Sequence, residues 1–379
     1  MSMGVYVRDA VVYCALGSSE EEILSSLHNP KKASLQSFRF GKEQRERPYG
    51  AMNEHKVVGY DEFFERLSRV LREVIEKSNL SEEELEECPL LIGSTSMNIP
   101  CSEALYQQTP QEMLPSIGYG RIGETLANAC GIGGEVCLFI SACTSSASAL
   151  LYAERGIQSG RFKRAIVLGF EFYNEFTMSG FEALGLLDDA GSRSFDKERM
   201  GMMLGEGCSA IVLDSSVPNK LFEFSLLGGE NRCDLFSPTS HNPNGEIVAQ
   251  TIEDALLDAG IASTEVSLIK AHATGSNSND MAEGKGLNRV FANMPPVLTL
   301  KPLVGHTLGG CGAIELAVLW FALKSGFIPK SFGFSTVDEE FGIIPTRTEV
   351  ESSSGIVLMN HFGFGGNGAV LVARYGRGE

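Results

Sequence analysis

Residues 135–156 read EVCLFISACTSSASALLYAERG, and this stretch decides the fold class. A short apolar run rich in strand-forming residues stops at Ser141. A string of small residues follows, and apolar positions then recur at helical spacing through Ala147, Leu150 and Leu151. The pattern predicts a strand that turns sharply into a helix, with Cys143 at the junction. A turn of that kind presents one side chain at the end of a strand.

The same alternation extends outward in both directions. VRDAVVYCALG (7–17) predicts a first strand ending in a glycine turn, and SSEEEILSSLHN (18–29) a helix with a serine cap and an acidic first turn. DEFFERLSRVLREVIEKSNL (61–80) is amphipathic at helical spacing, and SEEELEECPLLIGST (81–95) passes from helix to strand. RAIVLGFEF (164–172) and CSAIVLD (208–214) read as buried strands. This β-α-β rhythm argues for an α/β protein whose sheet is covered by helices on both faces.

The rhythm then restarts. GEIVAQTIEDALLDAG (245–260) is a helix, SLIKAHATG (267–275) a strand into a loop, and GAIELAVLWFALKSG (312–326) a long apolar helix. GIVLMNHFGFGGNGAVLVARY (355–375) predicts two strands around a glycine-rich turn. A boundary is expected near SSVPNKLFEF (215–224), giving halves of residues 1–215 and 216–379. Their similar element order suggests an internal duplication.

Whole-chain quantities narrow the function classes. A chain of 379 residues with 43% hydrophobic and 21% charged residues can bury a large core. The formal charge of −17 repels phosphate backbones, so nucleic acid is not an expected partner. An acidic protein partner would need a local basic patch. The first residues lack a basic segment followed by an apolar run and a small-residue cleavage site. No apolar stretch approaches the ~20 residues of a spanning helix, so a cytoplasmic protein that does not enter the membrane is expected. Nine cysteines with no CxxC pair suggest neither a disulfide framework nor a metal site.

Cys143 is the first candidate for chemistry. Free N–H groups and the positive dipole end at the following helix would favour its thiolate, and small neighbours leave room for a substrate. The alternative is one buried thiol among nine. Among six histidines, His272 in KAHATGSNSND and His306 in KPLVGHTLGGCGAIEL follow apolar strands beside glycines. His28 and His55 lie in polar segments and read as solvated. His241 in SPTSHNPNG reads as a turn residue.

Five segments in order then resemble the elongating β-ketoacyl-acyl carrier protein synthases, the Cys-His-His condensing enzymes of the thiolase superfamily. They are the turn at Cys143, FDKERMGMMLGEG (195–207), HATGS (272–276), KPLVGHTLGGCGAIE (301–315) and FGFGG (362–366). The resemblance implies a thiolase-like α/β fold with duplicated βαβαβ halves layered α/β/α/β/α. It implies decarboxylating Claisen condensation of a Cys143-bound acyl chain with a malonyl thioester, in fatty acid, polyketide or aryl polyene-type biosynthesis. Backbone N–H groups of Cys143 and Phe364 would form the oxyanion hole. His272 and His306 would hold the enolate-like oxygen, acting in decarboxylation and condensation rather than in making the thiolate.

By the same resemblance Lys301 would orient the histidine and supply positive potential; an ordinary salt bridge with Glu315 is the equal alternative. Thr274 and Ser276 would contact a pantetheine arm, or else cap a loop, and Phe364 would gate the acyl pocket. No tightly bound cofactor is implied, because substrates ride on the phosphopantetheine of acyl carrier protein. A homodimer, or a heterodimer with a paralogous ketosynthase, would form through the strand EVCLFIS. Carrier-protein docking is expected at Lys56, Arg66, Arg69 and Arg121. Arg66 and Arg69 are three residues apart and so share a helix face; a face paired with Glu62, Glu65 and Glu73 is the alternative.

Departures from the family pattern fall at His361, Asn367 and Gly368, where it has Ser, Thr and Asn, and at Ser276, where it has Thr. Cys311 stands where relatives carry Ala and reads as packing. The rival reading is a chain-length-factor-like partner subunit. Such partners lose the nucleophile, and the presence of Cys143, His272 and His306 favours an enzyme. GIGGEV (131–136) lacks the rest of a dinucleotide-binding loop.

Overall fold

The computed structural model of the chain describes residues 4–53, 59–106, 118–216 and 221–377. Its strands are β1 (Val5–Cys14), β2 (Ser34–Phe40), β3 (Glu43–Gly50), β4 (Leu90–Gly93), β5 (Val136–Phe139), β6 (Arg164–Glu171), β7 (Leu204–Gly205) and β8 (Gly207–Asp214). They continue as β9 (Glu223–Cys233), β10 (Val266–Lys270), β11 (Val297–Leu298), β12 (Phe327–Ile328), β13 (Val350–Glu351), β14 (Gly355–Phe362) and β15 (Asn367–Gly376).

Ten strands form one sheet in the order β11-β10-β14-β15-β9-β1-β8-β6-β4-β5. Outward from its centre the sheet is the same object twice. β1-β8-β6 are antiparallel neighbours, and β6-β4-β5 are parallel. β9-β15-β14 and then β14-β10-β11 repeat those senses in that order. The two sets meet through two residue pairs, Val5 with Leu226 and Tyr6 with Ser225.

Helices fill three layers, one between the two sets of strands and one outside each. The helices Ser145–Gln158 and Cys311–Lys324 lie between the two sets, and every residue from Cys311 to Leu323 is buried. A helix apolar on all sides has no solvent face to offer, so the middle of the molecule is its stable place. Outside β1-β8-β6-β4-β5 lie the helices Tyr60–Lys77 and Tyr119–Cys130. Their stripe of Phe63, Leu67, Val70, Leu71, Ile122 and Leu126 packs on Ile92, Ile166 and Ala210. Outside the other set, Val248, Ile252 and Leu287 of the helices Glu246–Ala259 and Asn277–Val290 pack on Ile269 and Leu358. The layered α/β/α/β/α arrangement of a thiolase-like fold is therefore present.

Local chemistry sets the element ends. Ser19 accepts from Glu22 N–H at 3.2 Å and caps the helix Glu20–His28. Ser81 and Glu84 form a reciprocal capping box on the helix Glu82–Glu86. The apolar β5 is an edge strand and only half-buried, with Ile140 beyond it 49% exposed. No helix among the described residues is long and apolar enough to cross a membrane.

Of the two arginines expected to dock the carrier protein from the helix Tyr60–Lys77, Arg66 is buried and Arg69 half-buried. Arg66 is 7% exposed and ion-paired with Glu62, and its guanidinium lies 6.0 Å from the Phe172 ring. The Arg69 guanidinium lies 5.5 Å from the Tyr13 ring. Both arginines line an inward cavity with Tyr13, Cys14, Met52 and Cys208. The reason is the stripe that carries them: positions 63, 66, 67, 70 and 74 all face the sheet, so the three-residue spacing points Arg66 inward. Arg121 is exposed on another helix, and Lys56 lies outside the described residues.

Candidate active site

The turn between β5 and the helix Ser145–Gln158 is a single 3-10 turn, Ala142–Thr144. Ala142 takes φ 51°, a conformation costly for a residue with a Cβ, and Cys143 follows it, 5% exposed. Two more non-glycine residues with positive φ sit in the facing loops: Ala273 (φ 42°) beside His272, and Leu308 (φ 38°) two residues after His306. Backbone strain is thus concentrated where the three candidate residues meet.

Buried carboxylates hold these loops. Glu283 accepts from the amides of His272 (2.8 Å) and Ala273 (2.7 Å) and from Asn360 Nδ2 (3.0 Å). Glu171 accepts from the amides of Thr95, Ser96 and Gly309 at 3.0, 2.8 and 3.0 Å. Asp280 accepts from Phe195 and Gly275. Each acid replaces the water that a buried loop amide would otherwise need.

His306 Nε2 lies 3.1 Å from Cys143 Sγ. His272 stands edge-on to His306 with ring centroids 5.2 Å apart, and neither of its ring nitrogens bonds to a described group. The Cys143 sulfur and the two imidazoles offer ligand atoms within 4.8 Å of one another. They could ligate a soft cation, but two lysines behind them set positive charge against that. Gly363 packs against the nucleophile so closely that a Cβ there would lie 3.0 Å from Cys143 Cβ. That approach brings the amide of Phe364 toward the sulfur.

Burial pushes the Cys143 thiol up to about 11, while the amides of Phe364 and Cys143 and the charge of Lys301 act the other way. Burial also holds His272 and His306 well below the usual imidazole range, with Lys301 adding to the effect. Burial thus favours a neutral thiol beside a neutral imidazole, with 3.1 Å between Sγ and Nε2. Desolvation opposes the thiolate expected of the helix end, and His306 Nε2 is the basic atom at 3.1 Å.

Lys301 Nζ donates to Glu315 Oε1 at 2.7 Å, so the salt bridge weighed from the sequence is present. Sequence reading missed its companion. Lys270 Nζ donates to Glu315 Oε2 (2.6 Å) and to the carbonyl of Asn360 (2.8 Å), and lies 3.2 Å from His361 Nε2. Two lysines on one carboxylate place net positive charge behind the imidazoles. The available signal was a lysine inside an apolar strand, two residues before His272. Cys311 also does more than pack, because its thiol donates to the Cys143 carbonyl at 3.1 Å.

Thr274 and Ser276 are buried, bond each other at 2.9 Å, and line one cavity of about 20 Å³ with Cys143, His272 and His306. Phe364 stacks on Phe181 at its rim, centroids 5.5 Å apart and planes 13° from parallel. His241, which reads as a turn residue in the sequence, is buried at 3% and lines the same cavity.

Comparison with known proteins agrees with this geometry. Residues 20–217 match the family model described as the beta-ketoacyl synthase N-terminal domain, and residues 226–335 match the one for its C-terminal domain. The chain is similar to a "3-oxoacyl-[acyl-carrier-protein] synthase 2" of Mycobacterium tuberculosis, 31% identical over 251 residues. That alignment covers 62% of this chain and 60% of the relative, so it spans less than two thirds of the relative's length. A Vibrio cholerae protein of the same name is 27% identical, over 75% of this chain and 74% of its own. Among solved structures, a complex of the ketosynthase ApeO with its chain length factor ApeC from Xenorhabdus doucetiae contains a chain 25% identical to this one. It superposes with a TM-score of 0.82, covering 98% of both chains.

Proposed function

This chain belongs to the β-ketoacyl synthase family, and from that premise we propose that it is an acyltransferase that condenses a Cys143-bound acyl group with the malonyl thioester of acyl carrier protein. The observation that carries the reading is the pair of orphaned nitrogens on His272, buried beside a Cys143–His306 contact. A buried imidazole without partners is costly. A thioester oxygen that gains charge as carbon dioxide leaves would satisfy it where the charge develops.

The roles follow from position. Cys143 attacks the incoming acyl thioester and passes its proton to His306, which returns it to the departing pantetheine thiolate. The amides of Cys143 and Phe364 receive the tetrahedral oxyanion. After exchange of carriers, His272 and His306 donate to the enolate oxygen, and the enolate carbon attacks the Cys143 thioester, expelling the Cys143 sulfur, which regains a proton. Lys301 and Lys270 favour the neutral form of both imidazoles, each of which donates from its one protonated nitrogen. Thr274 and Ser276 line the path of the pantetheine arm. The substrates bring their own phosphopantetheine, and no step calls for a tightly bound cofactor.

Phe364 and Phe181 stack on each other in the cavity lining, and that stack is the gate an acyl chain must pass. The half-buried edge of β5 supports pairing with a second copy or with a paralogous ketosynthase, whose strand would complete the edge. A division into halves 1–215 and 216–379 is supported by the repeated strand order. Retention of Cys143, His272 and His306 in one bonded cluster argues against a chain-length-factor role. The test is condensation by the chain without any paralogous subunit: β-ketoacyl product and carbon dioxide are expected from acyl and malonyl carrier-protein thioesters. Product appearing only when another ketosynthase supplies its own cysteine would overturn the reading.

A further inference from the structure

We propose that His241 contacts the substrate at this same site, receiving the free carboxylate of the malonyl unit. The inference rests on the condensing function proposed above and adds a residue to it. His241 lies in the loop between β9 and the helix Glu246–Ala259 and is 3% exposed. Its ring packs edge-on to Phe362 at 5.5 Å, and neither ring nitrogen bonds to a described group. It lines the cavity that holds Cys143, His272 and His306.

The rest of that lining assigns its task. Phe181, Leu186, Met202, Phe362 and Phe364 are apolar, and no lysine or arginine is among the described lining residues. Lys270 and Lys301 are engaged behind the site by Glu315. His306 faces the sulfur, and His272 awaits the thioester oxygen. Thr239, Ser240, Thr274, Ser276, Ser278 and Asn279 add neutral polar groups to the lining; the malonyl carboxylate still needs a partner that can carry positive charge, and His241 is the remaining imidazole there.

Asp234 makes the residue suited to an anion. Its Oδ2 lies 3.6 Å from His241 Nδ1, and its carboxylate is fixed by the amides of Phe236 (3.0 Å) and Asn242 (2.7 Å). The Asp234 backbone is tied in turn to Gly366, where a Cβ would fall 1.7 Å from its carbonyl oxygen. Nδ1 is directed at Asp234 and the Gly363 backbone also lies near the ring; Nε2 makes no hydrogen bond to a described group and is the atom left for a ligand. Burial favours the neutral ring in the empty site. An entering carboxylate favours the imidazolium, which takes its proton from solvent as the anion binds. An imidazole that can lose that proton also lets go as the carboxylate becomes neutral carbon dioxide. A permanent cation would hold the ground state more tightly than the transition state.

The experiment compares two half-reactions in wild type, His241→Phe and His241→Gln. Cys143 acylation by an acyl-pantetheine thioester involves no carboxylate; condensation with malonyl-pantetheine does. His241→Phe should raise the malonyl-pantetheine KM by roughly tenfold to a hundredfold, the loss of one charge-assisted hydrogen bond. Acylation should be unchanged, and His241→Gln should recover part of the KM. An unchanged KM, or equal losses in both half-reactions, overturns the proposal. If His241→Phe does not fold, the wild-type protein carries the test by calorimetry with an unreactive malonyl-pantetheine amide. Tighter binding than the acetyl amide with proton uptake supports the proposal, and binding without uptake overturns it. A wild type that neither acylates nor condenses would instead sink the function proposed above.

Discussion

At the scale of single residues, the two imidazoles around Cys143 are not equivalent. Of the two, His306 lies 3.1 Å from the sulfur, while neither ring nitrogen of His272 bonds to a described group. His272→Ala should therefore still acquire an acyl group on Cys143 but lose condensation by roughly a hundredfold or more. His306→Ala should lose both steps, because the buried thiol, raised to about 11, then has no base. Separate measurement of acylation and condensation distinguishes these outcomes, and two variants with identical profiles would contradict the asymmetry. Cys143, His272 and His306 stand out in the letters through small and glycine-rich surroundings, while Lys301 is marked only by the family resemblance. The asymmetry was not legible, since it depends on ring placement by Glu283, which is 11 residues from His272. His241 was hidden for a related reason. SPTSHNPNG is polar and turn-like, and local polarity carries no trace of the Phe362 ring that covers it.

At the scale of elements, the central helices were the easiest to read and hold the least expected charge. Ser145–Gln158 follows its apolar spacing, yet Glu154 on it is 1% exposed and neither carboxylate oxygen bonds to a described group. Burial, with Asp258 nearby, raises its pKa to about 7. The sign follows from linkage: a carboxyl raised in the folded state stabilises below its unfolded value of about 4.3, and that stability is lost as pH rises through about 7. Glu154→Gln should thus raise Tm more at about pH 8 than at about pH 5. An equal shift at both pH values would mean that Glu154 is ionised and solvated in the folded protein. The helix Tyr60–Lys77 shows how sequence spacing misleads. Its period was correct, but the stripe includes position 66, so the arginine expected at the surface turned inward.

At the scale of the whole molecule, the duplication was visible in the sequence only as a repeated rhythm. Strand order and sense repeat in the fold without recognisable repetition of residues, because a buried strand asks only for apolar side chains. The half-buried β5 and exposed Ile140 leave one edge of the sheet open, and light scattering is expected to show a dimer. Leu138→Lys, on that edge, should shift the protein toward monomer, and a monomeric wild type at micromolar concentration would contradict this.

The central claim is that Cys143 carries the acyl group, and intact-mass spectrometry after incubation with an acyl carrier protein thioester tests it most directly. The predicted result is one added acyl mass on the wild-type chain, localised to the peptide containing Cys143 and absent from Cys143→Ala. Acylation that persists in Cys143→Ala, or a wild type that stays unmodified with the thioester in excess, would contradict the account.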